Sequence, residues 1–421
     1  MPIFSSSFPP VPRVIVIIIS IHEKRIRGKL IEQIVIILSY IGKDKLKQID
    51  RGECLMGEDK VSRLYLLLIF YTTIGLKNHL VIIPPLSVTA GRDGWISVIF
   101  SFALHAIWLL LIYYLLNKMN GVPIYQWITR RVGKVIAIIT CLSICSVLLL
   151  LATHSTTELA KWTSITYLPL TPDLIIMGSI AILCLLTSLT NLRTIAILNG
   201  VLLPVIVLLG LFVMLANMPN KDASLLLPIL EKGYSPVFSG MVYPSAGLGE
   251  MVIIVCIQHR IKNQIKYWHL LLFTFLVSVL IIGPLSAGFM EFGVEEMQRL
   301  RFPTYEQWAI VSMGRFVEQI DFLSIFQWLS GTFIRVSFLI YLITQIIPIY
   351  NRKWKTMIVI GLYLTMLWIT QIPKSDMEYL SFINQFFLPG TLIYFIVLTV
   401  ILLVISFIPG SKKEVKRHET A

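Results

Sequence analysis

The sequence predicts an all-α polytopic membrane protein of about ten transmembrane helices, and three observations lead there. Apolar runs of about 20 residues, the length that crosses a hydrocarbon core, recur along the chain. Charged residues are only 14% of the 421 residues and hydrophobic ones 56%, whereas a soluble domain carries about 25% charged side chains to cover its surface. Mean hydropathy is +0.79. The alternation of apolar and polar residues over segments of about 10 that marks a transmembrane barrel does not occur. The bilayer is the solvent of this chain.

The spans are predicted near 62–86, 95–117, 134–157, 174–191, 194–217, 237–258, 267–290, 321–347, 354–371 and 384–408. Residues 56–410 make up the membrane domain and 411–421 a basic tail. Residues 1–55 stand apart, because their apolar runs at 14–20 and 34–39 are too short to span. Arg51-Gly52-Glu53 is encodable as a purine run resembling a ribosome-binding site, with Cys54 and Leu55 as a spacer before Met56. Met56 is therefore the expected initiator, and 1–55 a non-native extension; a genuine cytoplasmic extension is the alternative.

Orientation follows from the connections. One set carries Lys118, Arg130, Arg131 and Lys134, then Arg193, then Arg260, Lys262 and Lys266, then Arg352, Lys353 and Lys355. The tail adds Lys412, Lys413, Lys416 and Arg417. The alternate connections are mixed or acidic, as at Asp222 with Glu231, Glu291 with Glu295 and Glu296, and Asp376 with Glu378. An even number of spans with both ends cytoplasmic satisfies the positive-inside rule throughout. The net charge of +13 is thereby explained without nucleic acid. After the seventh span, Gln298 to Thr304 is polar, and Trp308 to Ile320 is expected to form an amphipathic helix at the outer interface, a soluble lid being the alternative.

Two spans are marked by their backbone chemistry. Thr72-Thr73-Ile74-Gly75-Leu76-Lys77-Asn78-His79 places polar residues and glycine in the middle of the first, with Pro84-Pro85 near its end. The sixth opens with Gly240-Met241-Val242-Tyr243-Pro244-Ser245-Ala246-Gly247-Leu248-Gly249-Glu250. Unwound backbone survives in a membrane only where it lines a protected cavity. One such span in each half suggests a five-plus-five inverted repeat with broken first and sixth helices. Two kinked helices packed through small residues are the other reading.

At these residues the chain resembles spore germination proteins of the GerAB/GerKB type, in the amino acid–polyamine–organocation superfamily. Ala90-Gly91-Arg92-Asp93-Gly94-Trp95 resembles the family's turn between the first two spans. Leu168-Pro169-Leu170-Thr171-Pro172 resembles the loop before the fourth. Leu226-Leu227-Pro228-Ile229-Leu230-Glu231-Lys232-Gly233, Gly247-Leu248-Gly249-Glu250, Phe302-Pro303-Thr304, Phe316-Val317-Glu318, Trp328 and Phe333-Ile334-Arg335 follow in the family's order. Trp308, Gln319 and Lys77-Asn78-His79 depart from its pattern. The matching stretches lie after residue 56, and 1–55 match nothing in the family. The resemblance implies a ten-span fold with a ligand cavity between the first and sixth helices. It also implies a receptor for a small germinant, often an amino acid, in the inner membrane of a dormant spore. The partners it implies are an A subunit and a lipoprotein C subunit.

Ionisable side chains at bilayer depth face a cavity or a partner. The candidate ligand-binding residues are Gly75, Lys77, Tyr243, Gly247, Gly249, Glu250 and Arg335. Glu250 either receives a ligand ammonium group or pairs with Arg335 to fix helix packing. Lys77 either sits in the cavity, where related transporters hold a cation, or snorkels to water. His79 and His105 read as hydrogen-bonded interior histidines, and Tyr71 and Tyr243 as pocket lining or packing. The cysteines, Cys54, Cys141, Cys145, Cys184 and Cys256, show no ligand spacing and read as small residues without a metal or cofactor role. No nucleophile–base or zinc motif points to an enzyme. A functional amino-acid transporter or proton symporter is the alternative to a receptor. Peptide mapping of the native N-terminus is expected to recover nothing before Met56; any peptide from 1–55 overturns that start.

Overall fold

Proline, glycine and the polar caps decide where the helices stop. The computed structural model describes residues 60–312, 320–347, 351–372 and 375–409, all within one compact unit, Asp59–Ala421. The expectations for 1–55, the tail from 411, Cys54 and Gln319 fall outside the described residues. Helix α1 (Arg63–Leu80) begins at Ser62, whose side chain accepts from the Tyr65 amide. Helix α2 (Ile83–Ala90) carries Pro84 and Pro85 in its first turn, where a missing N–H costs nothing. Helix α3 (Gly94–Met119) stops at Asn120, which is left-handed with φ 46°. The amphipathic α4 (Ile124–Val132) leads into α5 (Lys134–Thr166), α6 (Asp173–Ser188) and α7 (Leu192–Ala216). Then come the segmented α8 (Ser235–Arg260) and α9 (Tyr267–Arg299), which kinks at Gly293. Helices α10 (Pro303–Ala309), α11 (Leu323–Ile346), α12 (Arg352–Ile369) and α13 (Asp376–Phe407) complete the chain. In α13 a π-turn at Ile383–Phe387 precedes Pro389, whose ring and absent N–H an α-turn cannot accommodate.

Among the described residues the fold is all-helical, with a parallel bridge between Val61 and Ile261. Seven stretches there are long and apolar enough to cross a membrane: α2 with α3, α5, α7, α8, α9, α11 and α13. Helices α1, α6 and α12 occupy the remaining predicted positions. α6 has 16 residues, α1 contains Lys77, Asn78 and His79, and α12 opens on Arg352, Lys353 and Lys355. Large apolar side chains such as Ile107, Ile139, Leu208, Leu364 and Phe407 face outward. A water-soluble surface does not carry them so densely. The chain is a multi-pass membrane protein. Its two most enclosed spans are α8 and α11, each with 83% of its apolar window buried inside the protein, against 22% for α7. The four cysteines Cys141, Cys145, Cys184 and Cys256 are buried and unpaired.

The connections segregate to two ends, as the charge alternation requires. At one end Val61 exchanges backbone hydrogen bonds with Arg260 and Lys262, Arg63 reaches the Gln264 carbonyl, and Arg260 reaches Gln345. At the other, Arg92 pairs with Glu231 at 2.9 Å, the Leu230 amide donates to Asp93, the Asp222 amide donates to the Met290 carbonyl, and Arg301 meets Asp376. The two groups come from alternate connections along the chain.

Three backbone expectations are corrected. Helix α1 runs unbroken through Gly75; the irregularity lies at Val81–Ile82, whose amides both turn to the Lys77 carbonyl at 2.8 and 3.3 Å. The cause is Pro84-Pro85, whose rings would clash with the carbonyls of Leu80 and Val81 four residues earlier if α1 continued as a regular α-helix. Gly75 serves close packing instead, since a Cβ there would lie 3.0 Å from Leu280. In α8, Gly247 lies within a helical piece, and the backbone tightens to 3-10 geometry over Gly249–Ile253 while keeping right-handed angles. The span is overwound there and not unwound. Third, the amphipathic helix expected to begin at Trp308 does not begin there: a helix started by Pro303 runs over Pro303–Ala309, and Ile310–Ser312 are not helical. Trp308 lies in its last turn, buried with its indole N–H on Gln327, and 313–319 fall outside the described residues.

Impermeant maleimide applied to intact cells is expected to label single cysteines introduced at Lys221 or Glu296 and to leave one at Lys353 unlabelled. Labelling at 353 from outside inverts the topology.

Candidate functional site

The enclosed centre of the bundle contains three ionisable side chains. Each sits deep in its helix: at about 1.5 Å rise per residue, Lys77 is roughly 20 Å from the start of α1 and Arg335 roughly 18 Å from the start of α11. Glu250 lies at the head of the overwound stretch of α8. Relative exposures are 2% for Lys77, 1% for Glu250 and 0% for Arg335. The guanidinium of Arg335 donates to both carboxylate oxygens of Glu250, Nη1 to Oε2 at 2.8 Å and Nη2 to Oε1 at 2.9 Å. The fork geometry of arginine suits this two-point contact. Lys77 Nζ sits 3.0 Å from Glu250 Oε1 and donates to the Ala246 carbonyl at 3.2 Å.

Two further donors of Arg335 are also used. Its Nε donates to Ser155 Oγ of α5 at 2.8 Å, and Nη1 donates to the Thr73 carbonyl of α1. Four helices therefore meet on one guanidinium and one carboxylate. Two basic side chains face one carboxylate, a formal charge of +1 when all three are ionised. For Glu250 both readings stay in play geometrically: it pairs with Arg335, and it accepts an ammonium group, which here is that of Lys77. Lys77 does not snorkel; its amine ends inside the protein.

The structure gathers Lys77, Glu250 and Arg335 and sets Gly247 beside them. A Cβ on Gly247 would lie 1.8 Å from Asn78 Oδ1, so only glycine lets α8 approach α1 this closely. Gly249 faces α13, where a Cβ would meet Phe395 at 3.3 Å. Tyr243, on the same helix, packs against the cluster of Ile82, Ala246 and Tyr379. Gly75 lies on the other side of α1, two residues and about 200° from Lys77. His105 hydrogen-bonds the Ser101 carbonyl through Nδ1 at 2.8 Å, and Tyr71 packs edge-on to Phe273.

A second polar group, continuous with the first, is one that sequence reasoning missed. Thr153, His154, Ser155, Thr156, Thr157 and Glu158 of α5 are all buried. His154 Nδ1 and the Tyr379 hydroxyl share a 2.6 Å hydrogen bond. Glu158 accepts from Arg301 Nη2 with both oxygens at 3.1 Å, and Arg301 Nε also donates to Asp376 at 3.3 Å. Lys161 stands 3.6 Å from Asp376. The available signal was six polar residues in succession within an otherwise apolar span.

The fit at Gly247 has a consequence for stability. Gly247→Ala is expected to destabilise the protein by about 1–3 kcal/mol, the usual cost of overpacking, whereas Gly283→Ala, whose Cβ enters open space, is not. Melting of the purified variants in detergent compares them; equal melting temperatures contradict the packing account.

Comparison with known proteins places this geometry. A family profile described as "Spore germination protein" matches residues 62–379. Spore germination protein XB of Bacillus anthracis is 36% identical over 346 residues, covering 82% of this chain and 97% of the relative. The matched region runs from the start of α1 into α13 and contains the whole ionic cluster. By the extent of both matches, the chain belongs to the spore germination protein family of permease-like membrane proteins.

Proposed function

We propose that this chain is the permease-like subunit of a spore germinant receptor, working in the spore inner membrane with an A subunit and a lipoprotein C subunit. Its ligand is a small germinant of the amino acid class. Family membership supports the germination role, and the buried cluster of Lys77, Glu250 and Arg335 supports the ligand chemistry. The formal positive charge of the cluster attracts a carboxylate, while Glu250 holds an ammonium group that a ligand ammonium can replace. Binding in this reading is an exchange: the germinant's ammonium displaces Lys77 from Glu250, and Arg335 turns a guanidinium N–H to the germinant's carboxylate. Because Lys77 belongs to α1 and Glu250 to α8, the exchange frees these helices to move relative to each other. The accompanying fold reading is ten spans in a five-plus-five repeat. In support, the first and sixth spans each depart from regular geometry, at Val81–Ile82 and Gly249–Ile253.

The exchange predicts opposite effects for two neighbouring substitutions. Glu250→Gln keeps volume and removes the charge that holds the ammonium, so the germination response should be lost or strongly weakened. Lys77→Met removes the competing ammonium and should shift the dose–response to lower germinant concentration. Both are read from optical density of spores against germinant concentration, with assembly checked by immunoblot. Equal losses in both variants would mean that the cluster is structural and the exchange is wrong. Uptake of labelled amino acid into vesicles separates a transporter from a receptor, since a receptor binds without accumulation.

A further inference from the structure

A cavity of about 320 Å³ lies across α1 from the ionic cluster. Its floor is made by the Gly75 face of α1 and by Trp328 and Gly331 of α11, and its walls by α7 and α9. The lining is apolar along most of its length. Glycine creates the room: Gly283 of α9 and Gly210 of α7 both line it, and a Cβ on Gly283 would meet nothing within 4 Å. The walls are not closed against the bilayer. Leu211 and Met214 of α7 and Leu276 and Val279 of α9 line the cavity, yet each is between 44% and 48% exposed. All four lie in membrane-crossing stretches. The opening therefore faces hydrocarbon.

Polar groups are gathered towards one end. Lys221 Nζ donates to the Met214 carbonyl at 2.8 Å and lies 3.7 Å from Glu291, which accepts from Gln307 at 2.9 Å. This is the end at which the Asp93, Glu231 and Met290 connections meet. His79 also lines the cavity.

We infer that this cavity binds one acyl chain of a membrane lipid, which enters sideways between α7 and α9 with its ester and headgroup at the His79 and Lys221 end. The match is that of an amphiphile to its site: apolar walls for the chain, an open side towards the bilayer that supplies it, and polar partners where the chain joins its head. A free amino acid, zwitterionic and short, suits neither the lining nor the opening. The inference rests on the membrane fold and not on the germinant reading. A chain seated here packs on α1 opposite Lys77, so it supports the helix that closes the ionic cluster.

The test uses the full chain in nanodiscs of phosphatidylglycerol doped with the same lipid carrying a diazirine within one acyl chain. After illumination, adducts are mapped by mass spectrometry. Adducts are expected at residues 328–331 of α11, which annular lipid does not reach, as well as at outward positions such as Phe407. Gly283→Leu fills the opening and should abolish the adducts at 328–331 while sparing those at Phe407. Val279→Trp closes the same side and serves if the leucine variant does not assemble. The inference is overturned if 328–331 stay unlabelled while Phe407 is labelled, or if filling the opening changes nothing. It is also overturned if a saturating amino acid germinant displaces the adducts, which would give the cavity to the germinant.

Discussion

The pairing of Arg335 with Glu250 is the interaction around which the bundle is arranged. A charged side chain at the bilayer centre costs about 2.5–3.5 kcal/mol even on lenient insertion scales, and removing one partner of a buried pair costs about 3–5 kcal/mol because the other is stranded. Neither group is tolerable alone at this depth. Arg335 therefore recruits the Thr73 carbonyl of α1 and Ser155 of α5 as well as Glu250 of α8, and Lys77 takes the remaining side of the carboxylate. Each contact fixes a helix in rotation and height. The small residues follow from this demand: Gly247 lets α8 come against Asn78, and Gly331 of α11 leaves room for Leu76 of α1.

The polar face of α5 extends the same logic from the centre to one end. Ser155 touches the central arginine, His154 holds Tyr379 of α13, and Glu158 holds Arg301. Arg301 in turn bridges to Asp376, the first residue of α13. Successive positions on one helix thus join α11, the connection after α9, and α13. In a low-dielectric surrounding such bonds are strong when satisfied and costly when not. The central pair and the Arg301 group are thereby joined through a single helix.

Helix α1 has two faces with different solvents. One carries Lys77 and Asn78 into the ionic centre, and the other presents Gly75, Leu76 and His79 to an apolar chamber open to the bilayer. This explains why so polar a stretch is a stable membrane helix. Its backbone hydrogen bonds are intact through Gly75, and its lysine is directed inward to Glu250. The slipped turn at Val81–Ile82 confines the irregularity to the outer end, next to the prolines that cause it.

Much of the architecture was legible in the chain itself. Hydropathy located the helical stretches, since apolar length is a local property, and the alternating basic residues anticipated which connections meet at the same end. Glu250 and Arg335 stood out because a charge in an apolar run is conspicuous. Other features needed the fold. The chain alone does not say whether Lys77 reaches water or Glu250, because that depends on how α1 is rotated against α8. Gly75 and Gly247 look alike as helix weakeners, yet both turned out to be contact points within helical segments, because a missing Cβ serves close approach as readily as unwinding. Trp308 fell in the last turn of a short helix begun by Pro303, where periodicity alone favoured a longer one. Arg301 and Glu158, 143 residues apart, carry no mutual signal in sequence. Local hydrophobicity determined that this chain lives in a membrane and where its helices lie; the pairing of charges across helices, which depends on distances between segments remote in sequence, was decided only by the tertiary structure.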